Sequence, residues 1–241
     1  MRRIFPDGQD LDEDQLRVAY EPDRPSVRLN FVTSLDGAVE EDGYSRGLSG
    51  DADRKVFHLL RDHADAVMVG AGTLRHEGYH AVRPTEAGRA WRRTRGLAEY
   101  PVLVVVSASL DLDPAADTFA GAPVRPVVLT HAGAPADRRD ALAAVADVLT
   151  CGSSVVDLAV GLAELRGRGL DHVLCEGGPT LFGALLASGL VDELCLRISP
   201  LLTGPGAGRI VAGTKLSEAQ GMRLVHVLEE DGALLTRYAR A

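Results

Sequence analysis

Two glycine-containing segments hold the residue types that bind a nucleotide. The first, Gly70-Ala71-Gly72-Thr73, begins like a dinucleotide-binding fingerprint, although Arg75 stands where that pattern ends in glycine. The second, Glu176-Gly177-Gly178-Pro179-Thr180, places two glycines and a hydroxyl at the start of a predicted helix. Glycines let the backbone approach a ligand closely, and the free N–H groups of a helix N-terminus attract phosphate. Both segments therefore predict phosphate or pyrophosphate binding, and a tight turn without a ligand is the alternative at each.

A third segment, His76-Glu77-Gly78-Tyr79-His80, spells H-E-x-x-H, the zinc-binding motif of metallopeptidases. In those enzymes the motif lies on a helix, so that both imidazoles face one metal ion. Here Gly78 lies inside the motif and Pro84 follows closely, and both residue types disfavour a helix. The sequence therefore predicts no metal site, and a zinc peptidase is kept only as an alternative.

Polar residues and glycines come at or just past the ends of several short apolar runs that predict strands. Ser34, Ser107 and Glu176 each follow one such run, and Gly70 follows another. Open α/β sheets bind ligands beyond the carboxyl ends of their parallel strands. We therefore expect these residues to surround one ligand site. The Ser34-Leu35-Asp36-Gly37 segment also fits a plain turn, which is the alternative for Asp36.

The apolar pattern predicts the elements that position these residues. Val-rich runs predict strands buried on both faces, and the stretches between them predict helices. The predicted strands are residues 27–32, 66–69, 102–106, 127–129, 145–149 and 173–175, and the predicted helices are 51–61, 136–144, 155–165 and 180–187. This alternation predicts an α/β fold with a mostly parallel sheet and helices on both faces. A strand at 193–198 and a hairpin around Asp231-Gly232 predict an antiparallel C-terminal hairpin on that sheet.

The domain organisation is predicted to be simple. We expect residues 1–25 to form a polar lead-in and residues 26–241 to form a single domain. The arginine-rich segment at 83–96 predicts a solvated connector, with a phosphate-contacting loop as the alternative.

Charge and composition exclude several classes of partner. The 26 Lys and Arg against 34 Asp and Glu give a net charge of -8, which argues against nucleic acid or an anionic membrane as the main partner. No window approaches the roughly 20 consecutive apolar residues of a membrane-spanning helix, and the N-terminus turns polar before a signal-peptide core could form. We therefore expect a cytoplasmic protein. Cys151, Cys175 and Cys195 form no C-x-x-C pair and are expected to be buried thiols.

Several segments match one family when they are taken together and in order. They are Thr33-Ser34-Leu35-Asp36-Gly37, Leu60-Arg61, Gly70-Ala71-Gly72-Thr73, Val104-Val105-Val106-Ser107, Glu176-Gly177-Gly178-Pro179-Thr180-Leu181, Leu190-Val191-Asp192-Glu193-Leu194 and Ser199-Pro200-Leu201-Leu202-Thr203-Gly204. They resemble the pyrimidine reductase of riboflavin biosynthesis, the RibD carboxyl-terminal domain, from about Val27 to Tyr238. The resemblance implies a dihydrofolate-reductase-like fold. It also implies NADPH-dependent reduction of the ribosylamino group of 5-amino-6-(5-phosphoribosylamino)uracil to ribitylamino.

The resemblance further implies which residues bind the ligands. The implied NADPH contacts are Val32, Gly70, Gly72, Thr73, Glu77, Ser107, Gly177, Gly178, Pro179, Thr180, Leu181, Phe182, Gly183 and Ala184. The implied substrate contacts are Ser45, Arg61, Arg83 and Glu176, and Asp36 matches a motif acid and is the catalytic candidate. Glu176 is expected to accept hydrogen bonds from the pyrimidine, and Arg61 to donate to an anionic or carbonyl oxygen of the substrate.

The chain departs from the family pattern at three positions. Glu77 stands where Asp is usual, Tyr79 where Pro is usual, and Asn30 where many bacterial members carry Lys. The H-x-E and P-C-x-x-C zinc ligands of the fused deaminase are absent, so we expect a reductase alone. Two alternatives stay open: a reductase of the same fold acting on another heterocycle such as dihydrofolate, and a nucleotide-binding module without catalysis. The apolar strand at 190–198 and the late hairpin predict a homodimer across an exposed antiparallel edge.

Overall fold

The computed structural model of the chain describes residues 1–22, 25–213 and 215–241. The strands are β1 Arg2–Phe5, β2 Gln9–Asp10, β3 Ser26–Thr33, β4 Ala66–Gly70, β5 Val102–Val106, β6 Val127–Thr130, β7 Asp147–Thr150, β8 His172–Cys175, β9 Glu193–Ile198, β10 Met222–Glu230 and β11 Ala233–Arg240. The helices are α1 Glu13–Ala19, α2 Asp51–His63, α3 Ala71–His76, α4 Glu86–Thr94, α5 Asp117–Ala120, α6 Ala136–Ala143, α7 Leu158–Gly167 and α8 Pro179–Ala187. A 3-10 helix, Ser45–Leu48, lies between β3 and α2.

All of these strands form one sheet in the order β2-β1-β10-β11-β9-β3-β8-β4-β5-β6-β7. From β9 to β7 each neighbouring pair is parallel, and from β2 to β9 each pair is antiparallel. Asp231 and Gly232 form the turn between β10 and β11, with φ angles of 55° and 77° that suit a two-residue hairpin loop. The predicted α/β class, with a mostly parallel sheet and an antiparallel C-terminal hairpin, is confirmed.

Helices cover both faces of the sheet. Successive side chains of each central strand point to opposite faces, so each strand can pack against helices on both sides. Val67 of β4 packs in a cluster with Leu74 of α3 and Leu142 of α6. Met68, the next residue, packs in a separate cluster with Leu162 of α7. The Val-rich runs are therefore buried on both faces, as the sequence predicts.

The first 22 residues contribute more than a polar lead-in. β1 pairs with β10, and α1 packs on the sheet through Leu16 and Tyr20, which are almost completely buried. Buried arginines fix the end of α1 to the sheet: Arg28 Nη1 donates to the Tyr20 carbonyl at 2.7 Å, and Arg237 Nη1 donates to the Ala19 carbonyl at 2.7 Å. The sequence did not predict these elements, because the few apolar side chains that they bury are separated by polar residues.

The exposed antiparallel edge expected at 190–198 is absent from the described residues. β9 lies inside the sheet between β3 and β11, and β1 pairs with residues 227–229 of β10, while residues 222–226 have no described strand on that side. The expectation that the 190–198 strand forms an exposed edge is therefore wrong, and the homodimer itself stays a prediction.

The arginine-rich segment at 83–96 is also more ordered than the predicted connector. It contains α4, whose N-cap Thr85 accepts a hydrogen bond from the Gly88 N–H at 3.1 Å. Arg92 is fully buried, and its guanidinium donates to the carbonyls of Asp62 and Ala64 at the end of α2. Among the described residues, no helix combines the length and apolar character that crossing a membrane requires.

Candidate functional site

A cleft of about 750 Å³ opens beyond the carboxyl ends of β3, β4 and β8. Its walls come from five regions: the end of β3, the loop and 3-10 helix that follow it, one side of α2, the segments that begin α3 and α8, and residues 76–81 at the end of α3 and beyond it. The strand-end positions predicted to meet a ligand do meet here at Gly70 and Glu176.

One half of the cleft is formed by the glycine segments. The Gly70 N–H donates to the Gly177 carbonyl at 2.7 Å, which joins the end of β4 to the turn before α8. Gly177 has a φ of +113°, a region that residues with side chains rarely adopt. Gly178 is the N-cap of α8 and offers no side chain, so the first N–H groups of this helix have no side-chain cap.

These features fit the pyrophosphate of a dinucleotide. The uncapped N–H groups and the dipole of α8 favour an anion at its N-terminus, and glycines leave room for it. Thr180 is exposed in the first turn of the helix and supplies a hydroxyl. Thr73 lies beside Gly178, where an added Cβ would overlap its Oγ1. A glycine at position 178 therefore leaves room for the Thr73 side chain as well as for a ligand.

The other half of the cleft has a buried ion pair as its inner wall. Arg61 Nε and Nη2 donate to Glu176 Oε1 and Oε2, both at 2.7 Å, and the Tyr79 hydroxyl donates to Oε2 at 2.8 Å. Only 1% of the Glu176 side chain is exposed. Burial and the adjacent Glu176 carboxylate hold the pKa of Tyr79 well above its usual value, so its phenol is neutral. Although burial opposes it, the same carboxylate raises the pKa of Arg61.

One stripe of α2 lines this half of the cleft. Asp53, Phe57 and Arg61 follow each other at intervals of four residues, so they share one helical face. The Arg61 guanidinium lies 4.1 Å from the centre of the Phe57 ring. Burial raises the pKa of Asp53, while a hydrogen bond from Ser49 Oγ at 2.6 Å opposes that shift.

The structure brings many of the sequence-predicted site residues to the cleft. They are Val32, Ser45, Arg61, Gly70, Gly72, Thr73, Glu77, Glu176, Gly177, Gly178, Pro179, Thr180 and Leu181. Glu77 Oε1 accepts a hydrogen bond from the Ser45 N–H at 3.2 Å, so these two form part of one wall. Arg61 and Glu176 contact each other, whereas the sequence predicts separate contacts to the substrate.

Other predicted residues lie outside the cleft lining. Ser107 is buried, and its hydroxyl accepts a hydrogen bond from the Leu110 N–H at 3.0 Å. Phe182 packs in the core against Phe31, and Ala184 is exposed on the outer side of α8. Gly183 faces the Ala212 carbonyl, which an added Cβ would overlap.

Arg83 is also directed away from the cleft. Its guanidinium donates to the Gly121 carbonyl and lies 3.7 Å from the Asp117 carboxylate. This geometry does not support the predicted contact between Arg83 and a substrate.

Asp36 is exposed beside the cleft rather than in its lining. It accepts hydrogen bonds from the Ser34 hydroxyl and from the Thr203 and Gly204 N–H groups, the last at 2.8 Å. These bonds, led by the one from Ser34, lower the pKa of Asp36 to about 2. An ionised carboxylate engaged in this way braces the 199–204 segment and has no proton to give at neutral pH.

The H-E-x-x-H segment does not form a zinc-peptidase site. α3 ends at His76, and Gly78 has a φ of +64°, so the two histidines do not share a helical face. His76 Nε2 lies 2.6 Å from the Gly43 carbonyl, and His80 lies beside Asp117. The described residues contain no cluster of ligands that could hold a metal ion.

Sequence reasoning missed several residues of the cleft wall, among them Arg46, Asp53 and Phe57. The last two could have been found, because they precede Arg61 by eight and four residues on a predicted helix. Arg46 lies in the loop between β3 and α2, on a 3-10 helix of four residues that is too short to show a periodicity.

Comparison with known proteins gives a consistent result. The RibD C-terminal domain matches residues 25–235. The 2,5-diamino-6-ribosylamino-4(3H)-pyrimidinone 5′-phosphate reductase of Methanothermobacter thermautotrophicus is 33% identical over 204 residues, which is 83% of this chain and 90% of that protein. The reductase of the same name from Archaeoglobus fulgidus is 29% identical over 182 residues, covering 75% and 83%. The crystal structure of a pyrimidine reductase-like protein from Corynebacterium diphtheriae superposes with a TM-score of 0.83 at 27% identity, covering 90% and 92%. The chain belongs to the RibD C-terminal domain family.

Proposed function

We propose that this protein is an NADPH-dependent reductase that converts the ribosylamino group of a 5′-phosphorylated aminopyrimidine to a ribitylamino group. The two archaeal relatives are reductases of such a compound by name, and their similarity covers most of both chains. One observation carries the proposal: the same cleft contains two different features. One is the N-terminus of α8, which follows two glycines and has no side-chain cap, and the other is the buried Arg61–Glu176 wall. The first feature suits a dinucleotide, and the second suits a polar heterocycle.

The glycine half would hold NADPH, which supplies the hydride. Thr73, Gly178 and Thr180 would contact its pyrophosphate, because the α8 N–H groups and the hydroxyls present donors to an anion there. The role of a protein in hydride transfer is to align the donor with the acceptor carbon and to exclude water.

The polar half would hold the substrate. The reduction breaks the bond between the sugar C1 and its ring oxygen, adds a hydride to C1 and adds a proton to that oxygen. Tyr79, Glu176 and Arg61 form a fixed wall whose outer surface orients the pyrimidine, while Asp36 positions the 199–204 segment from outside the cleft. Asp36 therefore has a positioning role in this proposal, in place of the catalytic one.

Steady-state kinetics on a substrate panel test this function. The panel contains the diaminopyrimidinone and aminouracil forms of the phosphorylated substrate together with dihydrofolate, each with NADPH and with NADH. We expect NADPH oxidation with at least one of the two pyrimidines and a product heavier by two hydrogen atoms. Turnover of dihydrofolate alone would contradict the substrate class. NADPH binding without any turnover would indicate the non-catalytic module instead.

Three further features stay predictions. A single reductase domain is one, although the sheet extends beyond the predicted bounds 26–241 because it includes β1 and β2. A cytoplasmic location and a homodimer are carried over from the sequence. Light scattering of the full chain checks the dimer, which could not form by edge pairing of β9 or β11, because each has a neighbouring strand on both sides.

A further inference from the structure

Three arginines line the described part of the cleft, and only one of them has no described carboxylate partner. Arg61 is paired with Glu176, and Arg54 is paired with Asp51. The Arg46 guanidinium stacks over the Tyr44 ring at 4.3 Å and forms no ion pair with a described residue. Arg46 is therefore the lining cation that a ligand anion can still bind.

The loop that carries Arg46 is held in place before any ligand arrives. Tyr44 stacks in turn on His76, with ring centres 5.0 Å apart and planes 15° apart. His76 Nε2 lies 2.6 Å from the Gly43 carbonyl, and the Ser45 N–H donates to Glu77. These contacts join the loop to the end of α3. A preordered cation loses little conformational freedom when it binds an anion.

Arg46 also lies at the appropriate end of the substrate half. Ser49, three residues farther along the loop, donates to Asp53 at the outer end of the α2 stripe. Arg61 lies eight residues farther along the helix, about 12 Å at 1.5 Å per residue. A pyrimidine against the Arg61–Glu176 wall can therefore extend its sugar phosphate outward, toward the loop.

Carboxyl groups line this outer end, so a phosphate bound there requires a nearby cation. Glu40, Asp53 and Glu77 all line the cleft there, and Asp53 and Glu77 already accept hydrogen bonds from Ser49 and Ser45. An entering phosphate would meet these carboxyl groups unless a positive charge offset them. A guanidinium is well suited to this task because its fork of N–H donors matches phosphate oxygens.

We propose that Arg46 binds the 5′-phosphate of the substrate, whereas Arg83, the arginine at 83–96 that the resemblance implies as a substrate contact, does not. The inference rests on the proposed function, because it names the residue that recognises the phosphate of that substrate. It assigns the Arg46 guanidinium a contact with the phosphate monoester and none with the nicotinamide cofactor.

The test compares phosphorylated and dephosphorylated substrate in the wild type and in Arg46→Gln. Loss of a charged hydrogen-bond donor is expected to lower kcat/KM for the phosphorylated substrate by about 30-fold, chiefly through KM. The same variant should retain the wild-type kcat/KM for the dephosphorylated substrate and the wild-type KM for NADPH. Arg46→Lys should recover part of the loss, because it restores the charge without the fork. Arg75→Gln is the matched control, since Arg75 lies outside the cleft on α3 and contacts Asp111.

Equal losses on both substrates would show that Arg46 supports the loop rather than the phosphate, and would overturn the inference. A phosphate-selective loss in Arg83→Gln with none in Arg46→Gln would overturn it in favour of Arg83. Both of these outcomes leave the proposed function intact, because the wild type still turns over the pyrimidine. If the wild type reduces neither pyrimidine, the proposed function and this inference fail together.

Discussion

Glu176 is the residue whose role changes most when its surroundings are known. Its two oxygens receive three hydrogen bonds from Arg61 and Tyr79, so it is not a free acceptor that waits for a pyrimidine. The pair forms a rigid inner wall, and the substrate would meet the surface of that wall. A substitution at Glu176 must therefore affect the fold as well as the substrate.

We predict that Glu176→Gln lowers the free energy of unfolding by about 3 kcal/mol, because it leaves the buried Arg61 charge without its partner. Tyr79→Phe is the matched control: it removes one hydrogen bond and keeps the ion pair, and should lower the free energy by about 1 kcal/mol. Urea unfolding of the three proteins measures both changes. Equal stability of Glu176→Gln and the wild type would mean that the ion pair contributes nothing to the fold.

At the level of single residues, the sequence located the ligand site well where glycine marks it. Gly177 has a positive φ and Gly178 lies close to Thr73, whereas Gly70 has an ordinary φ and room for a Cβ. The contact between Arg61 and Glu176 could not be predicted, because 115 residues separate them and only the sheet topology joins α2 to the end of β8. Asp36 matches a motif, but its hydrogen bonds to the 199–204 segment depend on the tertiary structure.

At the level of elements, the contact between α3 and α8 determines the structure of the glycine half of the cleft. The N-cap of α8 lies against Thr73 in the first turn of α3, and only glycine fits there. The glycine motif thus has a packing role in addition to any role toward pyrophosphate. The two roles can be separated by changing both partners.

We predict that Gly178→Ala weakens NADPH binding and also lowers stability, because its Cβ overlaps Thr73 Oγ1. Adding Thr73→Ala removes that oxygen and should restore most of the stability, while NADPH binding stays weak. Thermal unfolding and cofactor titration of both single variants and of the double variant measure the two effects separately. A double variant that binds NADPH as tightly as Thr73→Ala alone would mean that Gly178 serves only the packing.

The sequence predicted the central elements of the sheet closely and its margins poorly. The strands from β3 to β9 and helices α2, α6, α7 and α8 all match predicted segments, because each buries a continuous or periodic apolar face. β1, β2 and α1 were missed, since neither strand has a buried residue and the buried residues of α1 are only Leu16 and Arg17. α4 was missed because its buried residue is an arginine.

At the level of the whole molecule, residues 1–22 close one side of the fold along a seam that contains two buried histidines. His63 Nε2 lies 3.0 Å from the Arg17 carbonyl, and the His226 ring packs edge-on against Tyr20. Burial, aided by nearby arginines, lowers the pKa of His63 to about 3 and that of His226 to about 4. Both histidines are therefore neutral in the folded protein at neutral pH.

We predict that the protein loses stability as the pH falls from about 6.5 toward 4. In this range the two histidines are protonated in the unfolded chain but stay neutral in the folded protein, so the free energy of unfolding decreases with falling pH. At pH 5 the loss is about 2 kcal/mol for each histidine, given 1.36 kcal/mol per pKa unit. Urea unfolding between pH 5 and pH 7.5 measures it. His226→Phe should show a shallower pH dependence, and an unchanged slope would remove His226 from the explanation.

The same segment protects the edge of the antiparallel strands. β1 pairs with residues 227–229 of the nine-residue β10, and the edge beyond β1 is the two-residue β2. A long unpaired strand readily pairs with another chain, whereas a short one does not. Residues 1–22 therefore shorten the unpaired edge of β10 to residues 222–226.

We predict that deletion of residues 1–22 makes the protein associate into species larger than the full chain forms, because the deletion extends the unpaired edge to the whole of β10 and uncovers the core surface beneath Leu16 and Tyr20. Light scattering of both proteins at equal concentration measures the change in mass. Leu16→Ala is the control: it removes buried methyl groups and should lower stability by about 3 kcal/mol while β1 still pairs with β10, so its mass should equal that of the full chain. A deleted protein of unchanged association state would show that β10 is not a reactive edge, and a larger mass for Leu16→Ala would attribute association to lost stability instead.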